Sequence, residues 1–109
     1  MIAMKIDIPF KSYFMDQMLD GSKTCTTRNK QYGERGDTFE RWGHAFVLTN
    51  VYRLKLRDVR DLMFKAEGFA KPQDFVTVWN DIHPGRGFSP EQVAWVHEFM
   101  KGSEFRKGG

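Results

Sequence analysis

The feature that most constrains the fold is an alternation of apolar and charged residues between positions 46 and 57. Apolar side chains recur on one side at Phe46, Leu48, Tyr52, Leu54 and Leu56, and Arg53, Lys55 and Arg57 occupy the other side. Successive side chains of a β-strand point to opposite faces of the sheet. The pattern therefore predicts a strand with one buried face and one solvated face. Such a strand needs neighbouring strands that pair with its backbone and a layer of other elements that covers its buried face.

The rest of the chain supplies these further elements. We predict a strand at 1–9, a helix ending before Gly21, a strand pair at 38–42 and 45–57 that turns at Gly43, a helix capped by Asp58 that ends at Gly68, a helix opening at Pro72, and a strand at 93–100. The reactive segment described below adds another strand. This order predicts an α+β fold with a mixed, partly closed sheet of five to six strands and two or three short helices.

Length and composition restrict the function classes. A chain of 109 residues is expected to form one domain, here residues 1–101 with a flexible tail at 102–109. The net charge of +3 favours anionic partners without demanding them. The lone Cys25 excludes an intramolecular disulfide, and no signal peptide or membrane span is evident. We expect a cytoplasmic protein, a monomer or weak dimer, with no metal, cofactor or membrane partner.

The reactive segment is residues 21–28, Gly-Ser-Lys-Thr-Cys-Thr-Thr-Arg. It lacks the glycine spacing and the adjacent Gly-Lys of a phosphate-binding loop, because Ser22 separates Gly21 from Lys23. No histidine has a sequence relationship to Cys25, so this thiol is interpreted as core packing rather than as a nucleophile. The remaining combination is a threonine hydroxyl as the nucleophile and Lys23 as its base. It can react if burial lowers the pKa of Lys23. Structural threonines in a strand are an equally good interpretation.

Several short motifs together carry a family resemblance. Gly21-x-Lys23-Thr24-x-Thr26-x-Arg28 is followed by Gly36-Asp37, and then by Ala66-Glu67-Gly68-Phe69, Phe75 and Trp79. In this order and spacing the motifs resemble the ASCH family (activating signal cointegrator homology), which are small domains of the PUA-like fold class. The resemblance implies a small PUA-like β-barrel.

The resemblance also implies an activity. Small bacterial members similar to this chain are amidohydrolases that remove the acetyl group from N4-acetylcytidine, and their reactive residues match Lys23, Thr26 and Glu67. By that match Thr26 attacks the amide carbonyl, Lys23 accepts the hydroxyl proton, and Glu67 gives a proton to the leaving cytosine nitrogen. Arg28 has no assigned chemical step and is expected near the oxygen atoms of the substrate or near the oxyanion.

Two arguments from the residues themselves bear on these roles. Glu67 falls in the last turn of the predicted Asp58 helix, where the helix dipole favours a neutral carboxylic acid, the form that donates a proton. Lys23 and Thr26 would point to opposite faces of one extended strand. The two can cooperate only if Lys23 belongs to the turn that follows Gly21.

Other residues are expected to bind the substrate. We assign Arg28, Thr24, Trp42 and Arg86 to this role. An aromatic ring of Trp42, Tyr32 or Phe88 could stack on a pyrimidine, although each ring is as well suited to the core.

The alternative function is an RNA-binding module. PUA-like domains often hold RNA in a basic groove, and the residues that could line one here are Arg28, Lys30, Arg35, Arg41, Arg53, Lys55 and Arg57. A ribonuclease that uses Lys23 and Glu67 as acid and base lies between the two hypotheses. The expected partner is thus a modified pyrimidine nucleoside or RNA.

Overall fold

The computed structural model describes residues 3–104. In chain order it contains a short 3-10 turn (Ser12–Phe14), α1 (Met15–Asp20), β1 (Cys25–Arg28), β2 (Thr38–Arg41), β3 (His44–Lys55), α2 (Leu56–Leu62), α3 (Pro72–Ile82) and β4 (Val93–Lys101). In this part of the chain, no helix has the length and apolar character needed to cross a membrane.

The four strands form one antiparallel sheet in the order β1-β4-β3-β2. β1 and β2 are therefore the edge strands. In the register of β1 with β4, Cys25 lies opposite Glu98 and Thr26 opposite His97. The long strand β3 carries a register irregularity between Leu48 and Asn50, where its apolar alternation is interrupted in the sequence.

Local sequence explains most element boundaries. Gly21 ends α1 in the left-handed conformation at φ 87°, as the sequence predicts. Pro72 occupies the first turn of α3, where its missing N–H costs nothing. The β2–β3 hairpin turns at Gly43, which has φ 77°.

The prediction for α2 was wrong at both ends. The helix begins at Leu56 rather than after an Asp58 cap, because the carbonyls of Gln92 and Pro90 accept the N–H groups of Leu56 and Arg57 and replace a side-chain cap. It ends at Leu62, and separate turns carry the chain on to Gly68. The helix-dipole argument for Glu67 therefore does not apply.

The predicted strand number was also too high for the described residues. The N-terminal segment forms only an isolated parallel bridge between Lys5 and Thr38. Asp37 holds this segment instead, because its carboxylate accepts the backbone N–H groups of Met4 and Glu34. Residues 1 and 2 of the predicted strand and residues 105–109 of the predicted tail lie outside the described residues, while 102–104 form a short helical turn.

The apolar core divides into two clusters. The first contains Ile8, Phe14, Met18, Phe39, Phe46, Leu48 and Phe99. The second contains Cys25, Leu56, Val59, Phe75, Trp79, Ala94 and Val96. Phe69 packs against both clusters. The candidate site lies where the two clusters meet, beside the edge strand β1.

Candidate active site

A cavity of about 560 Å³ opens along the outer edge of β1. Aromatic and aliphatic side chains form most of its wall. They come from the segment before α1, the loop after β1, the connection between α2 and α3, and α3 itself, and they include Phe10, Phe14, Tyr32, Phe69, Phe75 and Trp79. The polar lining includes Lys23, Thr26, Thr27, Arg28 and Glu67. An apolar recess with a few convergent polar groups is typical of a small-molecule site.

Lys23 is the buried cation of this cavity, with a relative exposure of 2%. Its Nζ donates hydrogen bonds to the backbone oxygens of Cys25 at 2.9 Å and Glu67 at 2.6 Å. The ammonium also lies 4.3 Å from the centre of the Phe14 ring. Burial lowers the pKa of Lys23, and the Glu67 carboxylate opposes that shift. The pKa of Lys23 therefore lies below the ordinary value of lysine, so the neutral amine that a general base requires is easier to reach than for a free lysine.

Glu67 lies beside Lys23, although 44 positions separate them in the sequence. Its Oε1 is 3.7 Å from Lys23 Nζ. Its Oε2 accepts hydrogen bonds from Thr27 Oγ1 at 2.6 Å and from Cys25 Sγ at 3.3 Å. Burial and the neighbouring Glu67 carboxylate both raise the pKa of the Cys25 thiol, so Cys25 stays protonated and acts as a donor.

Thr26 and Arg28 form a second group on the other face of β1. Arg28 Nε donates to Thr26 Oγ1 at 2.9 Å, and a terminal guanidinium nitrogen of Arg28 donates to the backbone oxygen of Pro9 at 2.5 Å. The guanidinium lies 4.9 Å from the Phe10 ring and 5.5 Å from the Tyr32 ring. These contacts hold Arg28 at one end of the cavity.

The alternation of β1 explains the two groups. Cys25 and Thr27 share one face with Glu67, and Thr26 and Arg28 share the other. Because β1 is an edge strand, side chains of both faces reach the same cavity. Lys23 lies in the turn before β1, as its cooperation with Thr26 requires, but no hydrogen bond joins the two within residues 3–104.

No protein-family model and no curated protein matches this sequence. Among solved structures, the chain is similar to the ASCH domain from Lactobacillus crispatus JV V101, with a TM-score of 0.60 and 14% identity over 91% of this chain and 79% of that one. The fold is that of an ASCH domain.

Two further solved structures are similar in fold to this chain. EF3133 from Enterococcus faecalis V583, of the family-model DUF984, has a TM-score of 0.67 and 14% identity over 94% of this chain and 80% of that one. The hypothetical protein PH0355 has a TM-score of 0.65 and 12% identity over 91% of this chain and 96% of that one. These likenesses confirm the predicted small α+β, PUA-like architecture.

The ASCH fold does not bring every predicted substrate-binding residue to the cavity. Arg28 and Tyr32 line it, but Thr24, Trp42, Arg86 and Phe88 do not. Trp42 packs against the first core cluster, and Phe88 packs against the second. Thr24 and Arg86 are exposed. Thr24 directly follows Lys23 but exposes its side chain to solvent, whereas Trp42, Arg86 and Phe88 lie in turns and loops that do not border the cavity.

The sequence does not identify Thr27 and Cys25 as hydrogen-bond partners of Glu67. From the sequence, both are interpreted as structural residues. Their spacing of two placed them on one face of the predicted strand, but nothing in the sequence revealed which face Glu67 would approach.

The seven cations proposed for an RNA groove are partly engaged within the ASCH fold. Lys55 and Arg57 both pair with Glu91, at 2.9 and 2.7 Å. Arg53 lies over the Trp95 ring and Lys30 over the Tyr32 ring. In the described part of the chain, no three His, Cys, Asp or Glu side chains converge as a metal site would require.

Proposed function

We propose that this chain is an amidohydrolase that removes the acyl group from N4-acetylcytidine-type nucleosides without a cofactor. Thr26 is the nucleophile, Lys23 the general base and Glu67 the proton donor. The observation that carries the proposal is the meeting of Lys23 and Glu67 at the wall of a cavity that Thr26 also lines. A buried amine, an acid and a hydroxyl in one recess are the groups that acyl transfer requires.

The buried pair supplies both protonation states that the reaction needs. Lys23 Nζ and Glu67 Oε1 are 3.7 Å apart, so a proton can be exchanged between them with little movement. Transfer of one proton from the ammonium to the carboxylate leaves a neutral amine and a neutral acid. The pair keeps a net charge of zero in both states, so the transfer adds no net charge to the cavity.

Acylation then follows. Thr26 Oγ1 attacks the acyl carbon while its proton passes to Lys23, through a water molecule or after a small shift of the lysine side chain. The bond between the acyl carbon and N4 breaks, N4 takes the proton of Glu67, and cytidine leaves. Thr26 carries the acyl group as an ester. Arg28 supports the attack because its Nε bonds to Thr26 Oγ1 and stabilises negative charge on that oxygen.

Deacylation restores the enzyme. A water molecule attacks the ester carbonyl while the Glu67 carboxylate takes its proton. The bond to Thr26 Oγ1 breaks, and Lys23 returns a proton to the threonine oxygen. The products are cytidine and the free carboxylic acid, and each protein group regains its starting proton.

The walls of the cavity suit an uncharged nucleoside. Aromatic side chains dominate them, and a volume of about 560 Å³ lies within the range of small-molecule pockets. Tyr32 and Phe10 flank Arg28, so a planar base entering at this end would meet aromatic faces and one guanidinium.

The test is incubation with N4-acetylcytidine while the release of cytidine and acetate is measured. Lys23→Met, Thr26→Val and Glu67→Gln are each expected to reduce kcat by about 10²–10⁴-fold, as for general acid–base groups and their nucleophile. Thr24→Val is the matched control, because Thr24 lies in the same segment but is exposed and outside the cavity. Wild-type activity that survives all three substitutions would exclude this mechanism.

A second candidate is an RNA-binding module. It is favoured by the rings of Trp95 and Tyr32, each with a cation over it, since aromatic rings with adjacent cations suit unpaired bases. Affinity for a short single-stranded RNA should then fall steeply with salt, whereas hydrolysis of an uncharged nucleoside should hardly respond. RNA binding without any release of cytidine would favour this candidate.

A further inference from the structure

The backbone direction of β1 can be derived from its register. The N–H of Phe99 donates to the carbonyl of Thr24 at 2.9 Å, and Cys25 lies opposite Glu98. In an antiparallel ladder, alternate residues turn both backbone groups toward the partner strand. Thr26 therefore faces β4 with its N–H and C=O, and Cys25 and Thr27 turn theirs outward, away from the sheet.

The contacts of Cys25 agree with this direction. Its N–H donates to the carbonyl of Ala66 at 3.1 Å, and its C=O accepts Lys23 Nζ at 2.9 Å. Thr27 turns the same two groups outward two positions later, where β1 borders the cavity. Neither group of Thr27 has a protein partner outside the ladder within residues 3–104.

An unpartnered backbone N–H at a buried residue is rare in native structures. Thr27 has a relative exposure of 7% and lines the cavity, so little of this residue is open to bulk solvent. A group of this kind is suited to a ligand that enters the cavity.

We propose that the backbone N–H of Thr27 is the oxyanion donor for the hydrolysis of the acyl amide. This inference rests on the proposed function, with Thr26 as the nucleophile. The N–H of the residue after the nucleophile serves this purpose in other acyl-transfer enzymes. A donor fixed in a strand needs no reorganisation when charge develops, which makes it effective.

The role can be written atom by atom. When Thr26 Oγ1 bonds to the acyl carbon, the π electron pair of the carbonyl moves to its oxygen, and the threonine proton goes to Lys23. The Thr27 N–H donates to the oxygen that has become negative. When the electron pair returns, the bond to N4 breaks and that nitrogen takes the proton of Glu67. The Thr27 N–H itself transfers no proton.

The test replaces one backbone N–H by oxygen. In a semisynthetic chain, residue 27 is supplied as the α-hydroxy acid with the threonine side chain, so the link becomes an ester and Thr27 Oγ1 is retained. We expect kcat for N4-acetylcytidine to fall by about 10²–10³-fold, the usual effect of losing one oxyanion donor. KM should change little, because the lost bond forms in the transition state.

The matched control is the same ester at Glu40 in the other edge strand. The Thr38 backbone bonds outward to Met4 and Ile6, so Glu40, two positions later, also turns its N–H outward. Glu40 is exposed and far along the sheet from β1. Each ester also makes the carbonyl of the preceding residue a weaker hydrogen-bond acceptor, so the two variants share this side effect. The kcat of the Glu40 ester should match that of the wild type.

The outcomes separate the two proposals. Wild-type hydrolysis with an undiminished kcat in the residue 27 ester overturns this inference and leaves the proposed function standing. Absence of hydrolysis by the wild type overturns both.

A second measurement does not depend on how well the ester folds. In the wild type, a trifluoromethyl ketone analogue of the substrate should form an adduct with Thr26 and shift the Thr27 amide proton downfield. An adduct without that shift also overturns the inference.

Discussion

Thr27 Oγ1 donates a hydrogen bond of 2.6 Å to Glu67 Oε2, joining residues 40 positions apart. The same carboxylate oxygen accepts the Cys25 thiol, and the other carboxylate oxygen lies 3.7 Å from Lys23 Nζ. Glu67 therefore has polar partners on both of its oxygens in an otherwise apolar wall. This arrangement holds the carboxyl group in a single orientation toward the cavity.

Removing the Thr27 hydroxyl should destabilise the chain. We expect Thr27→Val to lower the free energy of unfolding by about 1.5–3 kcal/mol, because it breaks a buried hydrogen bond to a charged group. Urea denaturation at neutral pH measures the change. The control is Thr77→Val, which removes an exposed hydroxyl bonded to the Gln73 carbonyl within α3, and it should stay within about 0.5 kcal/mol of the wild type. Equal effects at both positions would contradict the importance of the Glu67 contact.

His97 should make stability depend on pH. Its Nε2 accepts the N–H of Tyr32 at 3.0 Å, and burial lowers its pKa. In the unfolded chain, His97 has the ordinary histidine pKa of 6.5 and binds a proton below that pH, whereas burial disfavours the protonated ring in the folded chain. The free energy of unfolding therefore decreases as the pH falls below 6.5. The slope contributed by one such group approaches about 1.4 kcal/mol per pH unit.

The measurement is urea denaturation at a series of pH values from neutral to mildly acid. His97→Gln should lose this part of the pH dependence. His44→Gln removes an exposed histidine and should retain it. If the two variants and the wild type gave parallel curves, the assignment to His97 would be wrong.

Gly68 should tolerate no side chain. It has φ 100°, and a Cβ there would lie 2.6 Å from Gln17 Oε1 and 3.3 Å from Lys23 Cβ. Gly68→Ala should therefore reduce both stability and turnover, since it displaces Lys23. Gly21→Ala is the matched control, with φ 87° and no atom within 4 Å of the added Cβ. It should cost only the left-handed backbone strain, about 1–2 kcal/mol, and preserve turnover. Turnover and thermal unfolding measured on both variants test this difference.

The fold could be predicted from the sequence where periodicity and turn residues coincide. The alternation in β3, the left-handed Gly21 and the Pro72 start of α3 depend on local chemistry, and all three are present in the structure. The start of α2 depends instead on carbonyls of Pro90 and Gln92, more than thirty positions away. A local pattern such as the Asp58 cap could not reveal those partners.

The sequence also predicted part of the geometry of the candidate site. Motif resemblance placed Lys23 and Glu67 together, and the structure has them in contact. It did not distinguish Thr26 from Thr27 as the partner of Glu67, because this depends on which face of β1 the segment after α2 approaches. Trp42 and Arg86 were assigned to the substrate on side-chain type alone, which does not fix where a loop travels.

The division of the core into two clusters has a thermodynamic consequence. The cavity lies between them, so a ligand that fills it contacts apolar side chains of both clusters at once. A molecule that binds the folded chain and not the unfolded one raises the free energy of unfolding as its concentration rises. An occupied cavity should therefore join the two clusters and make them unfold together at a higher temperature.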